Sequence, residues 1–470
     1  MPELPEVETV RLKLLSTIKN KTILNVEVFY SKYDILKSLK NEKILDINRL
    51  GKFLIFNLEH FTLISHLRME GKYRVETSPV KDKHDHVFFN LDSGETLVYN
   101  DKRKFGVFYL FDKNVDIYKV EPLLSVGKEP FTITKEELFN KINNKSLPIK
   151  SLLLDQSIIS GIGNIYADEV LFVSNIHPLR LGKTISLDEC ESIINNSVRI
   201  MSNSIKSGGT TIRSFESFNG EPGHFQGSLS VHLKEGKRCP NCGNFIKKIR
   251  VGGRGTYLCE ACQRIRDYKL IGLTGTFASG KSTVLKIIND LGYMTISLDD
   301  IYNDLFINNE KMRKEIFKHF NTLDKSILRE LIYNEKCENE ILKEITHKYI
   351  FYKMFEMINE SKDKYIFVEA PLLYEDNYEK MFDKVIVVSP SESVEKVIMS
   401  ERHITKETYD KVMESQLSDK DKCAKADFII KNDSSLDSLK EKVKNTLKEV
   451  LWLISSPIQL RQVKEIKKKS

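Results

Sequence analysis

The sequence predicts a multidomain chain: a β-sandwich or barrel, a helical segment and a small metal-binding finger, followed by an α/β domain with a parallel sheet. Three observations predict it. Residues 23–111 alternate apolar and polar side chains between turn signals such as Asp92-Ser93-Gly94, the period-two pattern of half-buried strands. From 133 to about 207 the spacing becomes helical. Residues 259–283, CEACQRIRDYKLIGLTGTFASGKST, then close a four-cysteine pattern and open a phosphate-binding loop. At 470 residues the chain is too long for one core. The expected divisions are 1–130, 131–230, 231–266, 268–455 and a basic tail, 456–470.

With 41% hydrophobic and 30% charged residues, the composition is ordinary for a soluble globular protein. No run approaches the roughly 18 apolar residues of a membrane span, and MPELPEVETV lacks the regions of a signal peptide. A cytoplasmic location is therefore expected. There the 7 cysteines should stay reduced, so paired Cys-x-x-Cys segments read as metal ligands. Residues 1–267 hold 39 Lys+Arg against 32 Asp+Glu, whereas the remaining 203 hold 34 of each. The whole net charge of +7 falls in the first part, which points to a polyanionic partner for that part alone.

The chain opens with Pro2 and Pro5 among Glu3, Glu6 and Glu8, ahead of an amphipathic helix expected over 7–18. The prolines alone would merely stiffen the approach to that helix. With Met1 removed, Pro2 carries a secondary amine whose pKa near 8 leaves a usable neutral fraction. Attack by that amine on a sugar C1′ gives an iminium, an electron sink favouring base loss and strand elimination. Glu3 is placed to move protons.

Among the strands, segments 51–53, 66–72 and 100–106 set basic side chains beside Met69 or Phe105. An enzyme that extrudes a nucleotide needs that pairing, cations for phosphates and an apolar wedge for the emptied stack. A single such segment reads as a solvated hairpin. The glycine-bounded turn Ile159-Ser160-Gly161-Ile162-Gly163-Asn164 can present backbone N–H groups to phosphate, or simply connect two helices. The polar loop 210–225 can close over a substrate. Cys239-Pro-Asn-Cys242 and Cys259-Glu-Ala-Cys262, sixteen residues apart, predict a closed, structural four-thiolate zinc site. Arg238, Lys247, Lys248, Arg250 and Arg254 give this finger the charge of a DNA clamp.

PELPEVE, HLRMEGK, the DKRKFG loop, GIGNIYADEVL, TTIRSF with NGEPGHF and the four-cysteine finger together resemble a bacterial formamidopyrimidine-DNA glycosylase over residues 1 to about 265. The resemblance implies a β-sandwich, a helix-two-turn-helix domain and a zinc finger, with damaged double-stranded DNA between them. It implies excision of 8-oxoguanine and formamidopyrimidines, then cleavage at the abasic site. It makes Pro2 the Schiff-base nucleophile, Glu3 the proton donor, Lys52 the catalytic hairpin lysine and Lys150 a lysine near the oxidised base. Met69, Arg103 and Phe105 match the family's void-filling trio, and Asn164 and Arg254 its phosphate contacts. Lys102 stands where the family has proline, and Val231-His232-Leu233 where it has Val-Tyr-Gly. Leu4 and the loop near 213–225 favour this family over endonuclease VIII, which prefers oxidised pyrimidines.

Residues 268–274 read as a buried strand entering Gly275-Thr276-Phe277-Ala278-Ser279-Gly280-Lys281-Ser282-Thr283, with a helix expected over 283–291. That context makes a chance glycine loop a poor explanation. Backbone N–H groups wrap phosphate, Lys281 reaches the β and γ positions, and Ser282 can ligate Mg²⁺. Further strands are expected at 294–298, 365–368, 385–388 and 428–430, giving a doubly wound parallel sheet with ligands at the strands' carboxyl ends. Asp299-Asp300 and Glu369 stand at such ends.

This segment resembles dephospho-coenzyme A kinase from 268 to about 450, on GLTGTFASGKSTV, ISLDDIY, VEAPLLYED, FDKVIVV, ERHITKE and ADFIIKN. The resemblance implies transfer of the γ-phosphoryl of ATP to the ribose 3′-hydroxyl of dephospho-CoA, with Mg²⁺. Asp300 becomes the catalytic base and Arg402 a lid arginine. Leu298 replaces a family acid, His347-Lys348 a His-Pro, Glu369-Ala370 an Asp-Val, and Lys396 an upstream arginine. A bifunctional enzyme follows. Its rivals are a chain with one inactive half and a DNA-dependent NTPase.

Overall fold

The computed structural model describes residues 1–210, 223–401 and 405–455. They form two compact bodies, one of residues 1–234 with 248–258 and one of residues 235–247 with 259 onward. The division runs through the four-cysteine finger, whose ligands all belong to the second body.

In the first body α1 (Leu4–Ile18) starts three residues before the expected position. Pro5 fits because the first helical turn has no use for its missing N–H. Glu6 accepts a hydrogen bond from the Glu3 amide at 2.9 Å, closing the turn. Eight antiparallel strands follow, β1 (Thr22–Val28), β2 (Glu42–Leu50), β3 (Phe53–Leu58), β4 (Phe61–His66), β5 (Lys72–Thr77), β6 (Asp85–Leu91), β7 (Glu95–Asn100) and β8 (Val107–Asp112). Their order is β5-β7-β6-β1-β2-β3-β4-β8. The β1–β2 seam pairs only Thr22 with Lys43 and Ile23 with Glu42. There the sheet folds over, giving a sandwich around Val26, Ile47, Leu54, Phe56, Tyr73, Phe89 and Tyr99, closed by Val7, Val10 and Leu14 of α1.

The helical part comprises α2 (Lys135–Ile142), α3 (Ile149–Leu154), α4 (Asn164–Val173) and α5 (Leu187–Lys206). Its core includes Leu138, Ile149, Leu153, Ile162, Val170, Ile193 and Met201, together with Leu4 from the start of α1. One helix thus serves two cores, which ties the N-terminus to the turn before α4. The finger's hairpin is β9 (Lys247–Val251) with β10 (Arg254–Leu258).

The second body carries β11 (Lys269–Gly275), α6 (Lys281–Asp290), β12 (Met294–Ser297), α7 (Leu298–Asn308), α8 (Glu310–Phe320), α9 (Lys325–Asn334) and α10 (Lys336–Glu360). It continues with β13 (Tyr365–Glu369), β14 (Lys384–Pro390), α11 (Glu392–Glu401), α12 (Lys406–Glu414), α13 (Asp419–Lys425), β15 (Phe428–Asn432) and α14 (Leu436–Ser455). The strands stand in the order β12-β13-β11-β14-β15, all parallel. Ile271, Leu273, Phe367, Ile386, Val388 and Ile430 pack against Val284 and Ile288 of α6 and Val443 and Val450 of α14. Helix α6 begins at Lys281 rather than 283, so the loop's lysine is itself the first helical residue.

Candidate active sites

In the first body, the Leu4 amide donates to the Gly161 carbonyl at 3.0 Å, pinning the terminal segment on the turn before α4. The Glu3 carboxylate then accepts from the amides of Ile165 (2.9 Å) and Tyr166 (3.3 Å) at the N-terminus of α4. Free amides and the helix dipole make that end a seat for an anion. Gly163 leaves the room, for a Cβ there would lie 2.2 Å from Glu3 Cδ. Lys52, buried, donates to the Ile162 carbonyl at 2.8 Å. Burial pushes its ammonium below the usual range, Glu3 opposes this and Arg254 adds to it. Pro2 is buried among these groups and Met1 is exposed.

Glu6 lies behind them, taking hydrogen bonds from Tyr166 Oη (2.6 Å) and the Thr210 amide (2.9 Å). Burial, with the neighbouring Glu3 charge second, raises its carboxyl to about 7. Sequence reading gave Glu6 no role. Its signal was the spacing of three residues from Glu3, which places both on one turn.

An open cavity of about 450 Å³ beside the terminus is lined by Met1, Lys32, Arg68, Met69, Phe105 and Val107. Met69 and Phe105 thus come together although 36 positions apart. The Arg103 guanidinium lies 4.6 Å from the Phe105 ring centre, which unites the expected trio. Asp101 shapes their loop by accepting from the amides of Arg103 (3.0 Å) and Gly106 (2.8 Å). A Cβ at Gly106 would meet Tyr99 Oη at 1.8 Å.

Lys150 is fully buried and bonds Asp168 Oδ1 and Thr256 Oγ1, each at 2.7 Å. The other Asp168 oxygen lies 2.7 Å from His232 Nδ1. Sequence reading noted His232 only as a departure, and here it completes a buried Lys150–Asp168–His232 row. Asn164 Nδ2 donates to the Gly255 carbonyl at 3.1 Å, while its buried Oδ1 has no protein partner. Arg254 is exposed at the start of β10.

The ligand atoms of Cys239, Cys242, Cys259 and Cys262 lie within 4.8 Å of one another. Four converging thiolates with no open position suit a structural zinc ion.

In the second body, β11 delivers its chain to a loop whose Ala278 (φ 60°) and Gly280 (φ 90°) are left-handed, turning amides inward as an anion nest. A Cβ at Gly280 would lie 2.4 Å from Asn432 Nδ2, so glycine is required there. Lys281 Nζ donates to the Thr276 carbonyl at 2.8 Å, and Ser282 Oγ to Glu369 Oε1 at 3.1 Å. The buried hydroxyls of Thr276 and Ser279 lack protein partners among the described residues, which fits a loop built to meet phosphate oxygens. Ser282 and Glu369 would hold Mg²⁺, whose charge would offset that of the phosphates.

Asp299 and Asp300 stand in the first turn of α7. The surrounding protein raises Asp299 above the ordinary carboxylate range, Lys281 pulls it down and Asp300 adds to the rise. Burial raises Glu369 as well, again with Lys281 opposing. The loop lysine therefore acts on two acids, Asp299 and Glu369. Sequence reading missed Lys422, which is fully buried on α13 and donates to the carbonyls of Gly275 (3.3 Å) and Pro371 (3.0 Å). Lys396, by contrast, points along the outer face of α11 to Glu392 at 2.7 Å. Arg402, residues 211–222 of the polar loop and the tail 456–470 lie outside the described residues.

Family models match four segments: the formamidopyrimidine-DNA glycosylase N-terminal domain at 1–108, its H2TH domain at 124–216, a zinc finger found in FPG and IleRS at 236–265, and dephospho-CoA kinase at 269–438. A formamidopyrimidine-DNA glycosylase of Exiguobacterium sibiricum is 46% identical over 276 residues, 56% of this chain and 99% of the relative. That of Mycoplasma mobile is 43% identical over 274 residues, 56% of this chain and 100% of the relative. Among solved structures, a Lactococcus lactis FPG mutant with Fapy-dG-containing DNA is similar at a TM-score of 0.53 and 37% identity, covering 56% of this chain and 100% of that one. The Lactococcus lactis Fpg with abasic-site DNA gives 0.52 and 37%, covering 56% and 99%. With sandwich, helical domain and four-cysteine finger all matched, the chain belongs to the formamidopyrimidine-DNA glycosylase family, and it carries a dephospho-CoA kinase domain directly after the finger.

Proposed function

We propose that one chain performs both chemistries: excision of oxidised purines from duplex DNA with cleavage at the abasic site, and ATP-dependent phosphorylation of dephospho-CoA at its ribose 3′-hydroxyl. The observation that carries the first is the Glu3 carboxylate seated on α4 next to Pro2, with Lys52 buried alongside. With Met1 removed, the Pro2 nitrogen attacks C1′ and the glycosidic bond breaks, its electron pair leaving with the base. The C1′–O4′ bond then breaks, Glu3 supplying the proton that O4′ takes, and the opened sugar is left as an iminium on the Pro2 nitrogen. The resulting iminium acidifies C2′, whose proton loss expels the 3′ phosphate. Met69, Arg103 and Phe105 fill the gap left by the extruded nucleotide. Asn164 and Arg254 hold phosphates, and Lys150 sets the wall nearest the base through Asp168 and Thr256.

In the second body Asp300 takes the proton from the acceptor hydroxyl, Lys281 and the loop amides hold the transferring phosphates, and Lys422 fixes the Gly275 end of the loop. Asp299 stands beside Asp300 as a second acid and compensates for Leu298. Borohydride reduction with 8-oxoguanine duplex tests the first half. A covalent adduct is expected, absent in Pro2→Gly; no adduct from the parent chain removes the assignment. ATP turnover that requires dephospho-CoA and ignores DNA tests the second; turnover stimulated by DNA alone would instead establish a DNA-dependent NTPase.

A further inference from the structure

The four-cysteine knuckle has a second face that neither chemistry uses. Phe245 and Ile246, three and four positions after Cys242, are 2% and 0% exposed, though a finger this small has no core of its own to hide them. Their cover comes from α10, in the same body. The Phe245 ring centre lies 6.4 Å from that of Phe351 on α10, and Tyr352 Oη, one residue on, donates to the Ile246 carbonyl at 2.6 Å. Arg238, beside the first ligand, places its guanidinium 4.5 Å from the Phe245 ring centre and 5.4 Å from that of Tyr378, to whose hydroxyl it donates at 2.6 Å. Tyr378 Oη in turn lies 2.8 Å from His347 Nδ1 on α10.

The other ligand pair is tied in as firmly. Glu260, between Cys259 and Cys262, accepts from Asn359 Nδ2 near the end of α10 at 3.2 Å. Immediately after Cys262, Arg264 pairs with Asp383 at 2.7 Å, and Arg266 donates to the carbonyls of Ile358 (2.9 Å) and Asp363 (2.6 Å). Both cysteine pairs therefore sit on the same helix. The 239–242 turn and the 259–262 turn meet across the hairpin through Cys239–Cys262 and Cys242–Cys259 approaches of 3.8 and 3.5 Å, with Asn244 Nδ2 donating to Cys259 Sγ at 3.8 Å and Lys247 pairing with Glu260 at 3.0 Å.

We propose that the metal site is a structural staple of the kinase domain: the bound ion holds two turns in the one arrangement that seals α10 and the loop 371–383. A finger otherwise expected to serve DNA alone thereby fixes the wall of the phosphotransferase. Metal binding to such ligands is folding free energy, and here the elements folded include α10. Without the ion the two turns are no longer held in one arrangement, and Phe245 and Ile246 lose their seat.

Hydrogen exchange on the full-length chain tests this, with zinc content measured alongside and Mg²⁺ in excess. Removing zinc with a zinc-selective chelator should speed amide exchange in α10 residues 343–359 and loop 371–383 at least about tenfold, and added Zn²⁺ should reverse it. Because a stripped chain can unfold more widely, the double variant R238A/Y352F keeps all four cysteines. It should retain one zinc per chain and still show faster exchange in those segments. Loss of protection confined to 235–262 on chelation overturns the proposal, as does a double variant whose α10 exchanges like the parent's. Neither result depends on either catalytic activity.

Discussion

The two active sites are built in opposite ways. The kinase site is nearly contiguous: Gly275 to Thr283 carries the phosphate loop in nine residues, Asp299, Asp300 and Glu369 join it from strands' carboxyl ends, and Lys422 of α13 bonds its Gly275 carbonyl. The residues expected of the glycosylase site, Pro2, Lys52, Met69, Phe105, Gly163 and Arg254, are spread over some 250 positions, and Glu3 is held on one helix end. A contiguous site stands on local backbone geometry. A dispersed site stands on packing, so it is exposed to changes at residues that touch no substrate.

The largest effect sought is a clean separation of the two sites. Lys281→Ala should lower CoA formation at least about a thousandfold, and Pro2→Gly should do the same to adduct formation, each sparing the other reaction. Steady-state assays of both activities on each purified variant check this. Loss of both activities in either one would contradict the separation.

Gly163→Ala probes the packing that a dispersed site needs. The added Cβ would sit 2.2 Å from Glu3 Cδ, so the carboxylate has to leave the α4 amides. Excision should fall about a hundredfold, with kinase turnover unchanged. The counterpart in the contiguous site, Gly280→Ala, meets Asn432 Nδ2 at 2.4 Å and must also hold φ 90°. It should raise KM for ATP and leave excision alone.

These glycines show what was legible in the sequence. The phosphate loop, the four cysteines and the period-two strands could be read because spacing along the chain is the geometry itself. So could Met69 and Phe105, as wedges beside cations. Glu6, Asp168 with His232, and Lys422 could not, because each gains its role from a partner 51 to 204 positions away. Helix α1 starts three residues earlier than expected, at Leu4, which is buried in the helical core. The short linker at 263–267 made contact between finger and kinase expected, but which residues make it could not be read, since Phe245 and Phe351 lie far apart in the chain.

Glu6 offers a smaller, pH-dependent test. Its carboxyl moves from an ordinary 4.5 to about 7 on folding, so the folded state binds the proton more tightly than the unfolded chain. The resulting stability is fully present below about pH 4.5 and is lost as pH rises through about 7. Glu6→Gln should flatten that decline, which is worth on the order of 3 kcal/mol at most, in the unfolding transition of the first body followed from pH 4.5 to 8. An unchanged profile would place the proton elsewhere, on Glu3 or a surface acid.

The smallest effect concerns Leu233, where the family has glycine. Its φ is 61° and its side chain is half exposed, so the left-handed backbone strains a branched residue without any packing in return. The segment before it is fixed regardless, because Glu169 accepts from the amides of Ser230 (2.7 Å), Val231 (2.9 Å) and His232 (2.8 Å). Leu233→Gly should therefore relieve strain of about 1 kcal/mol, partly offset by the extra freedom glycine gives the unfolded chain. A rise of a few degrees in the first body's melting temperature is expected, with no change in excision rate. A faster or slower excision would mean that this turn sets the chemistry as well as the stability, and the dispersed site would then extend to a residue no substrate touches.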